Sequence, residues 1–212
     1  MSPAIGILLA GLWLAAVLAV ALTTRSIWPQ QRELSRKLVH MGAGLTVPLA
    51  WWLQIPKQLA LPAAALATIA AIINHRAQLL PAVEDIDRRS IGTIAYGVSI
   101  TVLILFGWPQ RADLVSAAVL VMALGDGAAG LVGSNLASPS WTFLGQRKSL
   151  LGTGVMAIMS FIVLTLLLKG LSWPALIALV GAATLLEQLS WGGLDNLTVP
   201  LGVAWLGTGF GA

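Results

Sequence analysis

The sequence predicts an all-α polytopic integral membrane bundle, a single transmembrane domain over residues 1–212 with seven or eight transmembrane helices. Two observations carry this expectation. Of the 212 residues, 58% are hydrophobic and 9% charged, whereas a soluble domain carries roughly one-quarter charged residues. Several apolar runs also approach the roughly 20 residues that a helix needs to cross the hydrocarbon core, and only short polar connections separate them.

The first run, Ala4 to Leu22, has no basic residue before it and no clear cleavage site before the basic stretch that follows. It therefore reads as a retained helix, not as a signal peptide. The further spans are 39–54, 58–73, 92–107, 114–133, 151–168, 174–189 and 197–210. The second, third and last are short, which leaves the count at seven or eight. No repeat, heptad or low-complexity linker divides the chain.

The absence of cysteine excludes disulfides and thiolate metal sites. A formal charge of +4 could suggest nucleic acid, but in a membrane chain basic residues report topology, so no nucleic-acid partner is expected. With eight spans and the N-terminus outside, Arg25, Arg32, Arg36, Lys37, Arg76, Arg88, Arg89, Arg147 and Lys148 share one side. Lys57, Arg111 and Lys169 take the other, and nine against three makes the first side cytoplasmic. Trp28, Trp51, Trp52, Trp108, Trp141 and Trp173 lie near predicted span ends, where an indole buries its ring and keeps its N–H at the headgroups.

On that orientation the unusual polar clusters reach one face. Asp126, inside "VMALGDGAAGLVGSN", is the most expensive residue of the chain, since a carboxylate within a span costs several kcal/mol unless it faces the bundle interior, water or a cation. Gly125 and Gly127 on either side are expected to loosen the helix and let a phosphate or metal approach the backbone. Gly125, Ala129 and Gly133 also form a small-residue seam for helix packing.

Glu187 and Asp195 flank "QLSWGGL", and Asn196 follows directly. Their oxygens are hard ligands of the kind Mg²⁺ accepts, and Gly192 with Gly193 permits a reversal that returns the acids toward each other. "GQRKS" places Arg147, Lys148 and Ser149 ahead of a helix N-terminus, a combination suited to phosphate. It is not a Walker A loop, which would need glycine where Arg147 stands. In "SRKLVH", Arg36 and His40 are four apart on one helix face, with Lys37 between them. "EDIDRRS" (84–90) reads as a self-paired solvated loop, and His75 has no assigned role.

In this order and on this length of chain, "RKLVH", "GDGAAGLVG", "KSLLGT" and "LDNLTVP" resemble the polyprenol kinase family that includes phytol kinase and dolichol kinase. The resemblance covers roughly residues 32–202. It extends distantly to the CTP:phosphatidate cytidylyltransferases, whose longer charged stretch ahead of their glycines is reduced here to "EQLSWGGLDN". The resemblance implies an integral-membrane enzyme that uses CTP and a divalent cation such as Mg²⁺ to phosphorylate a lipid-soluble prenol at the cytoplasmic interface.

Asp126, Glu187, Asp195 and Asn196 are then expected to hold the metal, with Asp126, Asp195 and Glu187 as the catalytic acids. Arg147, Lys148, Ser149, Arg36, Lys37 and His40, with Gly125 and Gly127, are expected to hold the nucleotide phosphates. The expected partners are the prenol, a nucleoside triphosphate and membrane lipid, in a bacterial inner or thylakoid-type membrane, and a homodimer is compatible with the sequence. Two alternatives stand beside the kinase: a cytidylyltransferase acting on a lipid phosphate, and a small transporter with Asp126 as its cation site.

Overall fold

The computed structural model describes residues 2–80 and 90–211. The loop expected at 84–90 lies outside them, apart from Ser90. All eight apolar runs are helical, as they must be where the backbone has no water to bond. The first is α1 (Pro3–Ile27), opened by Ser2, whose hydroxyl accepts the Ile5 N–H at 3.4 Å, and by Pro3 at its first position. The second divides at Leu45 into α2 (Arg32–Gly44) and α3 (Thr46–Trp52), and the polar segment ahead of the apolar run is itself helical.

There follow α4 (Lys57–Ala77), α5 (Gly92–Gly107), α6 (Ala112–Leu120), a π-helical turn (Val121–Asp126) and α7 (Gly127–Asn135). The strands β1 (Ser140–Phe143) and β2 (Gln146–Ser149) come next, then α8 (Leu150–Leu167), α9 (Trp173–Leu189) and α10 (Asp195–Gly209). Among the described residues, four helical stretches are long and apolar enough to cross a membrane: Pro3–Ile27, Lys57–Ala77, Ala112–Asn135 and Leu150–Leu167. Gly92–Gly107 and Trp173–Leu189 are shorter apolar helices.

The continuous rod from α6 through α7 is the axis of the bundle. Ala117, Ala118, Val119, Val121, Met122 and Ala123 along it are completely buried, and α2, α3, α5, α8 and α10 pack around it. Lipid tails are as apolar as leucine, so such packing rests on close contact and dispersion more than on escape from water. Small residues supply the closeness. At Gly44 on α2 an added Cβ would lie 2.4 Å from that of Ala123. On the periphery α1 lies on α2 and α3, α9 on α8 and α10, and α4 on α5.

Trp108 departs from the interfacial expectation. It is 1% exposed, and its indole N–H donates to the Ile55 carbonyl at 2.9 Å, which fastens the end of α5 to the turn after α3. Trp28, Trp51, Trp52, Trp141 and Trp173 are exposed, in keeping with ring positions at a membrane boundary.

The hairpin was not legible in the sequence. Ser140 pairs with Ser149 and Phe143 with Gln146, around a two-residue turn in which Leu144 and Gly145 both have positive φ, 46° and 78°. That geometry belongs to the type I′ turn, whose twist matches the strands it joins. Alternation along β2 then points Arg147 outward and buries Lys148.

Candidate active site

The site is assembled where α2 meets the end of the π-helical turn. Lys37 is 5% exposed; its Nζ donates to Asp126 Oδ2 at 2.6 Å and to the Asp126 carbonyl at 3.2 Å. Its stem lies over Gly130, where a Cβ would come within 2.8 Å of Lys37 Cε. One turn along α2, His40 Nε2 stands 3.6 Å from the same carboxylate oxygen. The His40 ring packs on Tyr96 at a centroid distance of 4.6 Å, and the Tyr96 hydroxyl donates to the His40 carbonyl at 2.7 Å. A π-helical turn widens the helix by one residue and recurs at functional sites; here it ends at Asp126.

Arg36 and His40, four apart on α2, line a common cavity as their spacing predicts, with Arg36 held by an ion pair of its own. Arg36 turns back to Glu33, three residues earlier, with Nε 3.3 Å from Oε2. Lys37 and His40, three apart on α2, are the residues that reach Asp126 together. The flanking glycines differ from expectation, because neither lines either of the two cavities that Asp126 lines. Gly125 faces Met156 on α8 and Gly127 faces Met41 on α2, each so closely that a Cβ would meet the side chain at 2.5 Å. They serve helix packing. The seam continues at Gly133, where a Cβ would lie 2.7 Å from Ser149 Oγ.

The hairpin and α9 supply a second ion pair. Lys148 Nζ donates to the Glu187 carboxylate and, at 2.8 Å, to its carbonyl. The other carboxylate oxygen of Glu187 accepts from Gln188 Nε2 at 2.6 Å, and Gln188 also donates to Thr153 Oγ1 at 2.9 Å. Ser149 caps α8, its hydroxyl accepting the Gly152 N–H at 3.2 Å.

Gly192 and Gly193 form the expected reversal, with φ of 62° and 90°. The turn is tied to the start of α5. The Gly192 carbonyl accepts from the Ile91 N–H at 3.1 Å and from the Ser90 hydroxyl at 3.0 Å, while Asn196 Nδ2 donates to the Gly92 carbonyl at 2.9 Å. A Cβ on Gly193 would lie 2.4 Å from Gly92 Cα, so only glycine allows this approach. Asp195, just ahead of the last apolar stretch, is thereby turned into the same cavity as Glu187. Its carboxyl is pushed up to about 6, mainly by burial and then by the charge of Asp126.

These residues line a polar cavity of about 300 Å³, which gathers Arg36, Lys37, Asp126, Arg147, Lys148, Ser149, Glu187, Asp195 and Asn196. His40 lies outside it and lines a neighbouring cavity of about 330 Å³ instead, whose walls are mostly apolar. Arg36, Lys37, Asp126 and Asn196 belong to both. Sequence reasoning did not reach Tyr96, Ser90, Thr153 or Gln188. Tyr96 is the one tyrosine of the chain, and Gln188 adjoins a residue already selected.

The donor set fits a divalent cation that completes its shell from phosphate. No three acidic or histidine side chains among the described residues are grouped as a closed metal site, but Mg²⁺ characteristically takes one or two carboxylates plus substrate phosphates. Asp126 and Asp195 bring two carboxylates to one cavity, and the buried Asn196 Oδ1 has no hydrogen-bond partner. A cation would relieve both. Glu187, expected beside them, has both carboxylate oxygens engaged, one by Lys148 and the other by Gln188.

The chain is 38% identical to a phytol kinase of Synechocystis sp., in an alignment of 213 residues that covers 94% of this chain and 90% of the relative. No family model matches the chain, and no solved structure matches it.

Proposed function

The chain belongs to the phytol kinase family and is a lipid-alcohol kinase; from that premise we propose that it transfers the γ-phosphoryl group of CTP to the hydroxyl of phytol or a related polyprenol at the cytoplasmic membrane interface. One observation carries this reading: a polar and an apolar cavity share the wall formed by Arg36, Lys37, Asp126 and Asn196. A phosphorylated nucleotide and an oil-soluble alcohol need such opposed surroundings, and they need their reacting ends at one place. The polar side suits the triphosphate. The apolar side suits the prenol.

Phosphoryl transfer asks for positioning and charge compensation more than for covalent chemistry. Arg36, Lys37, Arg147 and Lys148 hold the phosphates and offset the charge that develops on the transferring group. Asp126 faces both cavities, so it orients the prenol hydroxyl and accepts its proton as the oxygen–phosphorus bond forms and CDP departs. His40 Nε2, buried without a hydrogen-bond partner, offers the hydroxyl a second polar contact. Asp126, Asp195 and Asn196 would hold the Mg²⁺, which when bound neutralises phosphate charge.

The choice of CTP follows the family resemblance, and the cytoplasmic placement follows the nine-against-three distribution of basic residues. With the two shorter apolar helices counted as crossings beside the four long ones, the bundle reaches seven spans if either α2–α3 or α10 also enters the bilayer, and eight if both do.

Incubation of the purified protein in liposomes with Mg²⁺, prenols from farnesol to dolichol, and CTP labelled at either phosphorus tests the reading. A kinase labels the lipid from γ-labelled CTP alone. Label from α-labelled CTP would instead make the protein a cytidylyltransferase.

A further inference from the structure

The apolar cavity has a wall that is held from one side only. Along its length α4 packs on α5, joined by a hydrogen bond of 3.0 Å between the hydroxyls of Thr68 and Thr101. The two backbones meet where a Cβ on Gly97 would lie 3.1 Å from Thr68 Cα. Among the described residues no other helix makes an extended contact with α4. Between it and α2 lies the cavity of about 330 Å³, within the range of small-molecule sites, roughly 300–1,000 Å³.

The walls of this gap are cut low. Ala64, Ala67 and Ala71, spaced for one helix face, line it from α4, and Ala43 lines it from α2. A packed core would not leave such a space open. Beside the wall shared with the polar cavity stand two buried polar atoms without hydrogen-bond partners, His40 Nε2, 3.6 Å from Asp126 Oδ2, and Asn196 Oδ1; Asn196 is 8% exposed. An apolar slot that ends in unpaired polar atoms is complementary to an amphiphile with a slender tail and a hydroxyl head.

We propose that this slot is the berth of the isoprenoid tail, entered sideways from the bilayer between α2 and α4, and that Ala64, Ala67 and Ala71 set the longest chain it accepts. The inference rests on the kinase reading for the identity of the tail. A lateral path needs no passage of an oily chain through water, and it delivers the hydroxyl end first to the shared wall. The four alanines that line the slot from α4, Ala64, Ala67, Ala70 and Ala71, leave room for the branch methyl groups of a prenol, and Asn74 is the one larger α4 side chain in its lining.

The cysteine-free chain permits a direct test. Ala67→Cys places a thiol at an exposed α4 position that lines the slot, and Leu66→Cys places one at an exposed position outside that lining, where the native leucine is 65% exposed. In liposomes, geranylgeraniol should slow N-ethylmaleimide alkylation of Ala67→Cys several-fold and leave Leu66→Cys unchanged. Ala67→Leu should raise the KM for twenty-carbon geranylgeraniol about tenfold more than that for ten-carbon geraniol, with the CTP KM unmoved.

Equal alkylation rates with and without prenol, or a parallel shift in both KM values, would overturn the berth. Equal protection by straight-chain oleyl alcohol would overturn its assignment to isoprenoids. The kinase reading fails separately. Prenol protection without any labelled lipid supports the berth and removes the reaction, whereas labelled lipid without protection does the reverse. If Ala67→Leu does not fold, the alkylation measurement still decides.

Discussion

Lys37 Nζ lies 2.6 Å from Asp126 Oδ2 and 3.2 Å from the carbonyl of the same residue, so one ammonium from α2 holds both the side chain and the backbone of the central helix. The pair stands in the wall between the two cavities. It is structural and, on the proposed mechanism, catalytic, and the two roles separate by mutation. Asp126→Asn should lower turnover by roughly 10²–10³-fold. It should also reduce thermal stability in detergent, because Lys37 is left buried beside a neutral group, a loss of up to about 3–5 kcal/mol. Combining it with Lys37→Met should return much of that stability and none of the activity. Wild-type turnover in Asp126→Asn would remove Asp126 from the chemistry.

The Lys148–Glu187 pair belongs to the polar cavity alone. Glu187→Gln and Lys148→Met should each raise the KM for CTP about tenfold and leave the KM for prenol unchanged. The two effects should not add, and a double-mutant cycle should give a coupling of roughly 0.5–3 kcal/mol. Additive losses would mean that Glu187 acts on the substrate independently of Lys148.

Cation dependence addresses Asp195 and Asn196. Chelation with EDTA should abolish transfer, and added Mg²⁺ should restore it. Asp195→Asn should raise the Mg²⁺ concentration at half-maximal rate by about tenfold or more, since it removes one of the few carboxylates available to the ion. An unchanged Mg²⁺ requirement in that variant would exclude Asp195 as a ligand.

Ser149 separates capping from phosphate binding. Its hydroxyl accepts the Gly152 N–H, so Ser149→Ala should cost about 1 kcal/mol of stability. Ser149→Asp keeps a capping oxygen and should restore the stability, but its charge should raise the KM for CTP. Thermal unfolding and steady-state kinetics on the two variants give the comparison. A loss of stability in both would show that more than the cap is involved.

The elements of the bundle are legible in the sequence because bilayer-scale apolar runs leave the backbone one option; for the run at 92–107 even the ends coincide with α5. The convergence of the acidic and basic clusters follows from counting crossings. What escaped depends on rotation and on tertiary partners. Arg36 and Lys37 are adjacent on α2 and point about 100° apart, and which of them meets Asp126 depends on how α2 is rotated against the central rod, which spacing alone does not give. The hairpin escaped because Leu144, not glycine or asparagine, occupies the first left-handed turn position. Trp108 sits at a span end like its counterparts, and only the Ile55 carbonyl distinguishes it.

The π-helical turn at Val121–Asp126 makes the central rod two helices in different phase. An α-helix advances about 100° per residue, so the one extra residue shifts the azimuth of everything beyond it by that amount. Upstream, the phase is set by packing against the core. Downstream, it is set by the direction in which Asp126 must point. Deletion of a single residue within this turn closes it to a regular α-helix with the flanking segments still facing as they do, whereas a deletion in α6 would turn Asp126 by about 100° relative to the core-packed face and carry its carboxylate away from Lys37. The chain therefore keeps the carboxylate that meets Lys37 aimed through an irregularity of winding at the centre of its most uniform stretch, and a one-residue deletion should be tolerated better inside this turn than in the regular helix ahead of it.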